Sequence, residues 1–379
     1  MSFKNKIAEN FPHQSDGHIY LNHAAISPLS KNVRQAIDRF LIDRHTGAID
    51  RFEQWSELIE DTRLKISNLI HAKSADNITF LGNTSEAVSA ITEGLTWEKG
   101  DEIILNTLEF PTNVQPFRIL GKKGVNLIFV KPDKDGIIQP DDIKEAITSK
   151  TKMVSISAVQ YLTGLKSNLK AIGDICEDHG LLFVVDGIQG LGAVDIDVVE
   201  SKIDALASGS HKWLMAPMGI GFLYISEKMK QLLTPFKTGW LSVEVPWDMR
   251  NFEQNWAPIS SHLEVGTYNM IGITGLHASL STFEEIGYKN AFSMIQEHTN
   301  YLYDKLSEID GIDLLTPKNP HFRSGIVTFK VDGMNDCDQF VSNLTNQKIT
   351  LSSREGFIRI SPHYYNRREE LDIVLTHFL

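Results

Sequence analysis

The chain of 379 residues holds only two cysteines, Cys176 and Cys337. It can therefore build neither a disulfide framework nor a cysteine-based metal centre. Lys/Arg-rich runs are missing, and 37 basic residues face 48 acidic ones for a formal charge of −11. The electrostatic footprint of a nucleic-acid or anionic-membrane binder is absent. The opening MSFKNKIAENFPHQ lacks the apolar core of a signal peptide. The longest uncharged apolar stretch, Leu214 to Ser226, is too short to span a bilayer and is broken by Pro217. Internal repeats and low-complexity tracts are lacking too. These absences predict a soluble, cytoplasmic protein without nucleic-acid or membrane partners.

What is present is ordinary globular composition, 42% hydrophobic and 22% charged, patterned as alternating apolar runs and amphipathic stretches. Strands are expected at Asn77–Leu81, Glu102–Asn106, Asn126–Val130, Met153–Ala158, Leu181–Asp186, Ala205–Ser208 and Gly221–Ile225. Helical patterns lie between most of them, at Glu86–Leu95, Asp141–Ile147 and Leu169–His179. Alternation of this kind predicts an α/β fold with a mostly parallel sheet covered on both faces. The stretch ALASGSHKWLMAPMGIGFLYI has too little helix for a crossover, so one antiparallel strand is expected and the sheet is mixed. After about Trp240 the pattern changes. A long helical run, Ile273–Ile286 continuing through Leu306, precedes shorter strands at Gly325–Val331 and Phe357–Ile360 and a terminal helix at Glu369–Phe378. A large domain of residues 16–269 and a smaller α+β C-terminal domain of residues 270–379, joined by residues 1–15, are expected.

Asp186 ends the apolar run LLFVVD, and in open α/β sheets ligands meet the carboxyl ends of strands. The GIQGLG around it is not a dinucleotide fingerprint, because AVDIDVVES does not open a helix. Lys212 stands in SGSHKWLMAP directly after a buried strand, where an ammonium is costly unless used or paired. A strand-end aspartate, a buried lysine and the hydroxyls of Ser208 and Ser210 are equipment for a Schiff base to pyridoxal phosphate. Taken singly, Asp186 fits a turn cap and Lys212 a surface lysine. Thr84 and Ser85 open a helix after ITFLG, which suits a phosphate at the helix N-terminus as well as it suits a plain cap.

From about Tyr20 to Asn366 the sequence resembles the class V aminotransferase-type, fold type I pyridoxal-phosphate enzymes, the superfamily of cysteine desulfurases, selenocysteine lyases, kynureninase and isopenicillin N epimerase. The resemblance rests on YLNHAAISP, TFLGNTSEAV, LEFPTN, VQYLTG, VVDGIQ, SGSHKWLMAPMGIGFLY, LEVGT and REGFIRISPHYYN in the family's order. It implies the cofactor pyridoxal 5′-phosphate bound to Lys212, with His211 beside it, Asp186 on the pyridine nitrogen and Gln189 on the phenolic oxygen. Phe110 falls where relatives stack an aromatic or histidine ring on the cofactor. Gln160 or Tyr161 supplies any further contact to the cofactor oxygen. Thr267 matches a residue reaching the phosphate of the neighbouring subunit, which implies a homodimer with shared sites. Arg359 matches the arginine that binds the substrate carboxylate. Arg354 is a second candidate, and Asn22 and His23 border the substrate side.

The resemblance implies an enzyme that forms an external aldimine with a small amino acid, as an aminotransferase, epimerase or C–S lyase. Residues Gln347 to Arg359 hold no cysteine, which sets the chain apart from the persulfide-forming desulfurases. A cysteine desulfurase or selenocysteine lyase is the alternative, and a binding or regulatory protein retaining the cofactor is the non-enzymatic one.

Overall fold

A computed structural model describes residues 9–379; residues 1–8, part of the segment assigned above to the small domain, lie outside it. Among the described residues the main helices are α1 (Lys31–His45), α2 (Phe52–Leu69), α3 (Thr84–Gly94), α4 (Leu169–Asp178), α5 (Met270–Ile286), α6 (Tyr288–Ser307), α7 (Cys337–Asn346) and α8 (Arg368–Leu375). The central sheet is built from β2 (Ile78–Leu81), β3 (Glu102–Asn106), β4 (Asn126–Val130), β5 (Thr151–Ser157), β6 (Leu182–Asp186), β7 (Ala205–Gly209) and β8 (Gly221–Ile225).

Its order is β2-β8-β7-β6-β5-β3-β4. The strands from β7 through β4 are parallel, whereas β8 runs antiparallel to both β7 and β2. That is the mixed sheet expected from the short link between β7 and β8. Side chains alternate between two cores, as the pleat requires. Ile103, Val184 and Leu223 pack with Ala87, Val88 and Ile91 of α3, while Ile104, Phe183 and Leu206 pack with Ile172 and Cys176 of α4. Each such buried aliphatic or aromatic side chain contributes roughly 1.5–3 kcal/mol against exposure.

The helical run expected through Leu306 is two helices. Gly287 ends α5 with φ 84°, a conformation open to glycine, and turns the chain into α6. The small domain carries a sheet of order β12-β13-β10-β9, formed by β9 (Ile312–Leu314), β10 (Val327–Val331), β12 (Ser352–Arg354) and β13 (Phe357–Ile360). A separate parallel pair joins β1 (Ile19–Tyr20) to β11 (Ile349–Thr350). Ile19 and Leu21 thus donate backbone hydrogen bonds to the Lys348 and Thr350 carbonyls before the chain enters the large sheet. No helix among the described residues is long and apolar enough to cross a membrane.

Candidate active site

Residues just past the carboxyl ends of β5, β6 and β7 line a pocket, Asp186 itself lying at the strand end and not on the pocket wall, and the β12–β13 hairpin forms part of the opposite side. Asp186 closes β6 because an all-apolar strand, LFVV, ends there with both faces buried. Two residues on, the turn presents Ile188 and Gln189 to the pocket. After β7 the chain does not cross over through a helix, so Lys212 and His211 pass directly above the sheet ends and line the same pocket.

At one end of the pocket stands the N-terminus of α3. Asn83 is its cap, accepting from the Glu86 amide at 2.9 Å. Thr84 and Ser85 therefore occupy the first helical positions, where backbone N–H groups have no partner within the helix. Thr84 Oγ1 also accepts from the Gly209 amide at 2.8 Å and fastens the helix to β7. Ser85 Oγ pairs with Thr112 Oγ1 at 3.1 Å. Both residues line the pocket.

Asp186 Oδ1 accepts from the Ile188 amide at 2.9 Å, while Oδ2 is buried without a partner. Burial first, and then the neighbouring Glu109, push its proton affinity up to about 7, against an attraction from Lys212. Lys212 is brought down to about 8 by burial, against Asp186 and with help from Arg359 and Arg354. The two groups share one buried field, and each is shifted toward its neutral form by loss of water. The Lys212 ammonium lies 5.6 Å from the centre of the Phe110 ring, and Tyr161 meets that ring edge-on at 5.1 Å.

The opposite wall comes from β12 and β13. Arg359 is 2% exposed, donating from Nε to Ser352 Oγ at 3.2 Å and from Nη1 to the Tyr161 carbonyl at 2.8 Å. Arg354, on the solvent side, lines the same pocket. Burial and Arg354 lower the proton affinity of Arg359.

Several residues singled out from sequence stand elsewhere. Ser208 and Ser210 donate to the Gly209 and Ile220 carbonyls at 2.8 and 2.7 Å and do not line the pocket, because buried hydroxyls on β7 and just after it are taken up by backbone. His23 is fully buried. Its ring nitrogens sit 2.7 Å from the Ser361 carbonyl and 2.8 Å from the Tyr365 hydroxyl, so it ties the N-terminal segment to the small domain. Asn22 pairs with Ser361 through backbone and is absent from the pocket wall, where Ala24 and Ala25 stand. Of the pair left open, Tyr161 is on the wall and Gln160 is buried behind it. Gln189 lines the pocket, but its amide donates to the Ala24 carbonyl and accepts from Trp213 Nε1. Thr267 is exposed and lies in a different depression, near Gly82 and Lys237.

The residue that sequence reasoning passed over is Glu109. Its carboxylate is buried and accepts five hydrogen bonds, from Asn106 Nδ2, Asn113 Nδ2, the Ser157 amide, Ser157 Oγ and Gln160 Nε2. Ser157 is the register partner of Asp186 across β5 and β6, so Glu109 stands directly behind the floor of the pocket. Its signal was an acid in LEFPTN flanked by apolar Leu108 and Phe110, just past a buried strand.

The aminotransferase class-V family model matches residues 19–374. A probable cysteine desulfurase of Methanothermobacter thermautotrophicus is 29% identical over 94% of this chain and 93% of its own length. One of Borreliella burgdorferi is 30% identical over 93% of this chain and 89% of its own. The solved apo structure of cysteine desulfurase from Thermococcus onnurineus NA1 superposes with a TM-score of 0.90 at 26% identity, covering 100% of this chain and 97% of that one. The match spans the central sheet, the second sheet and every strand that carries a pocket residue, and the chain accordingly belongs to the aminotransferase class-V family of fold type I, pyridoxal-phosphate-dependent enzymes.

Proposed function

We propose that this enzyme is a C–S lyase that cleaves the Cβ–S bond of a cysteine-type amino acid by elimination, without passing the sulfur to a cysteine of its own. The observation that carries the reading is the placement of its thiols. Cys337 Sγ lies 3.2 Å from the Gly356 carbonyl, yet it packs with Val327, Phe329, Ile358 and Ile360. Alternation along β10 and β13 puts those residues on one face of the small sheet and Arg359 on the other. Cys176 is buried under α4 and burial raises its pKa to about 12, so it is an inert structural thiol. Neither cysteine lines the pocket. The relatives named cysteine desulfurase supply the substrate class.

The residues fit pyridoxal phosphate. The unpartnered Asp186 Oδ2 awaits a cationic N–H, and the first N–H groups of α3 await an anion. Bound there, the cofactor supplies an electron sink for a carbanion at Cα. Lys212 would anchor it covalently, and its Nζ, freed when the substrate amine takes its place, would take the Cα proton. Asp186 would hold a proton on the ring nitrogen. Phe110 would cover the ring by stacking, which it can do without exchanging protons. Arg359 fixes the substrate α-carboxylate through N–H groups not spent on Tyr161 and Ser352. The sulfur then leaves with its bonding pair as a thiolate.

Thr267 lines a depression separate from the pocket of its own chain, and a surface rich in exposed aromatics, Trp240, Trp247, Phe252 and Trp256, lies on the segment before it. A second copy of the chain covering this surface would bring Thr267 to the neighbour's phosphate. A Thr267→Ala variant with weaker cofactor affinity in a dimer supports this; a monomer with full affinity opposes it.

The reading as a whole is tested with the double variant Cys176→Ser, Cys337→Ser. Production of sulfide or persulfide from cysteine or its disulfides should persist within a few-fold. Loss of turnover in a folded, cofactor-loaded double variant would restore a cysteine persulfide route.

A further inference from the structure

The pocket holds two arginines where one α-carboxylate needs only one. Lys212, Arg354 and Arg359 line it, and no aspartate or glutamate does. Neither arginine forms an ion pair with a carboxylate within 4.0 Å among the described residues. Glu355, next to Arg354 in sequence, accepts from the Tyr161 hydroxyl, and Arg354 itself donates from Nη1 to the Ser353 carbonyl at 2.7 Å. The cofactor phosphate belongs at the α3 end of the pocket, and the substrate α-carboxylate takes Arg359. Arg354 is left without an anion.

Backbone geometry makes the two arginines a matched pair. Ser352 is directly opposite Arg359, and Arg354 is directly opposite Phe357. Ser352, Arg354 and Arg359 therefore emerge from one face of the hairpin. Arg354 and Arg359 are diagonal neighbours, about 7–8 Å apart at Cα. The hairpin is closed by Glu355 and Gly356 at φ 53° and 82°, a two-residue turn with both central residues in the left-handed region. Such a tight turn holds the pair at fixed spacing. Arg359 is the deep member beside Lys212; Arg354 is the exposed one at the mouth.

We infer that the pocket selects an amino acid bearing a second carboxylate at the far end of its side chain, with the α-carboxylate on Arg359 and the distal one on Arg354. A disulfide of cysteine with a carboxylated thiol is the matching class. The inference rests on the lyase reading for its chemistry and on the hairpin for its selectivity.

The test uses the holoenzyme and two mixed disulfides of cysteine, one with 3-mercaptopropionate and one with propanethiol, which differ by the distal carboxylate. kcat/KM should favour the carboxylated disulfide on the order of tenfold, the worth of one charge-assisted contact. In Arg354→Gln the ratio should fall to near one. A binding titration followed by cofactor absorption, with glutarate against butyrate, repeats the comparison without turnover. Glutarate should bind more tightly, and Arg354→Gln should erase the difference. Equal handling of the two ligands by wild type, or a preference that survives Arg354→Gln, overturns the inference. If no disulfide is cleaved while the glutarate preference depends on Arg354, the lyase reading falls and the second-carboxylate site stands.

Discussion

Arg359 donates from Nη1 to the backbone carbonyl of Tyr161 at 2.8 Å, a direct hydrogen bond from the small domain to the loop that follows β5. The side chain proposed to hold the substrate carboxylate is thus aimed by the same segment that meets Phe110 edge-on. Replacing it with glutamine removes the charge and half of that aim. Arg359→Gln should lower kcat/KM for α-amino acids by about a hundredfold, as expected for a hydrogen-bonded charge pair of roughly 1.5–3 kcal/mol plus lost orientation. Amines lacking a carboxylate, followed by their effect on cofactor absorption, should be nearly unaffected. Equal losses for both would make Arg359 a structural residue.

Lys212→Ala should abolish the lysine-linked visible absorption and borohydride trapping of the cofactor while leaving the circular dichroism spectrum unchanged. Retention of either signal would place the covalent anchor elsewhere. In the cofactor-free protein the same residue governs a pH effect. Its folded-state pKa of about 8 lies below the ordinary 10.5. The folded state therefore binds fewer protons than the unfolded one between these values, so the lysine weakens the fold below about pH 8 and stops doing so above 10.5. Urea unfolding of the apo form should show Lys212→Met gaining stability over wild type at pH 7 but not at pH 10.5. An equal gain at both would show that packing, not charge, is responsible.

Asp186→Asn keeps the shape of the side chain and removes its negative charge. It should retain cofactor but lose kcat by about 10²-fold, the usual scale for deleting one preorganised electrostatic partner. Stopped-flow absorption with substrate is the check, and near-normal turnover would contradict the role assigned to this carboxylate.

Glu109→Gln exchanges a group that only accepts for one that also donates, in a site where all five partners are donors. At least one buried donor then faces another, which costs about 1–3 kcal/mol. The midpoint of chemical unfolding should fall accordingly. Loss of the Glu109 charge also removes one cause of the raised Asp186 pKa. The pH at which the apo pocket loses its proton, read from cofactor-binding affinity against pH, should move down. A variant as stable as wild type with an unshifted profile would show that Glu109 is protonated and electrically silent.

The amino-acid sequence by itself determined the sheet. Strands such as LFVVD and GFLYI are apolar on both faces, and a link too short for a crossover made β8 antiparallel wherever it packed. Local composition also announced Asp186 and Lys212, because a carboxylate and an amine at the ends of buried strands are expensive without a use. Thr267 was put forward only by the family resemblance of LEVGT, and its proposed role needs a second copy of the chain. Which polar groups face the pocket was decided in three dimensions. Ser208 and Ser210 read as site residues by proximity to Lys212 in sequence, and His23 by the family resemblance of YLNHAA. Each sits where a buried backbone carbonyl needed a donor, and the obligation to satisfy that carbonyl outweighs sequence neighbourhood. Glu109 owes its place to two segments meeting at one carboxylate, its own stretch with Asn106 and Asn113 and the end of β5 with Ser157 and Gln160. Arg354 and Arg359 become a pair only through the register of β12 on β13. Such relationships depend on turn geometry and on which segments pack together: the tight turn at Glu355 and Gly356 puts Arg354 and Arg359 on one face, and Ser157 and Gln160 reach Glu109 because β5 pairs with β3.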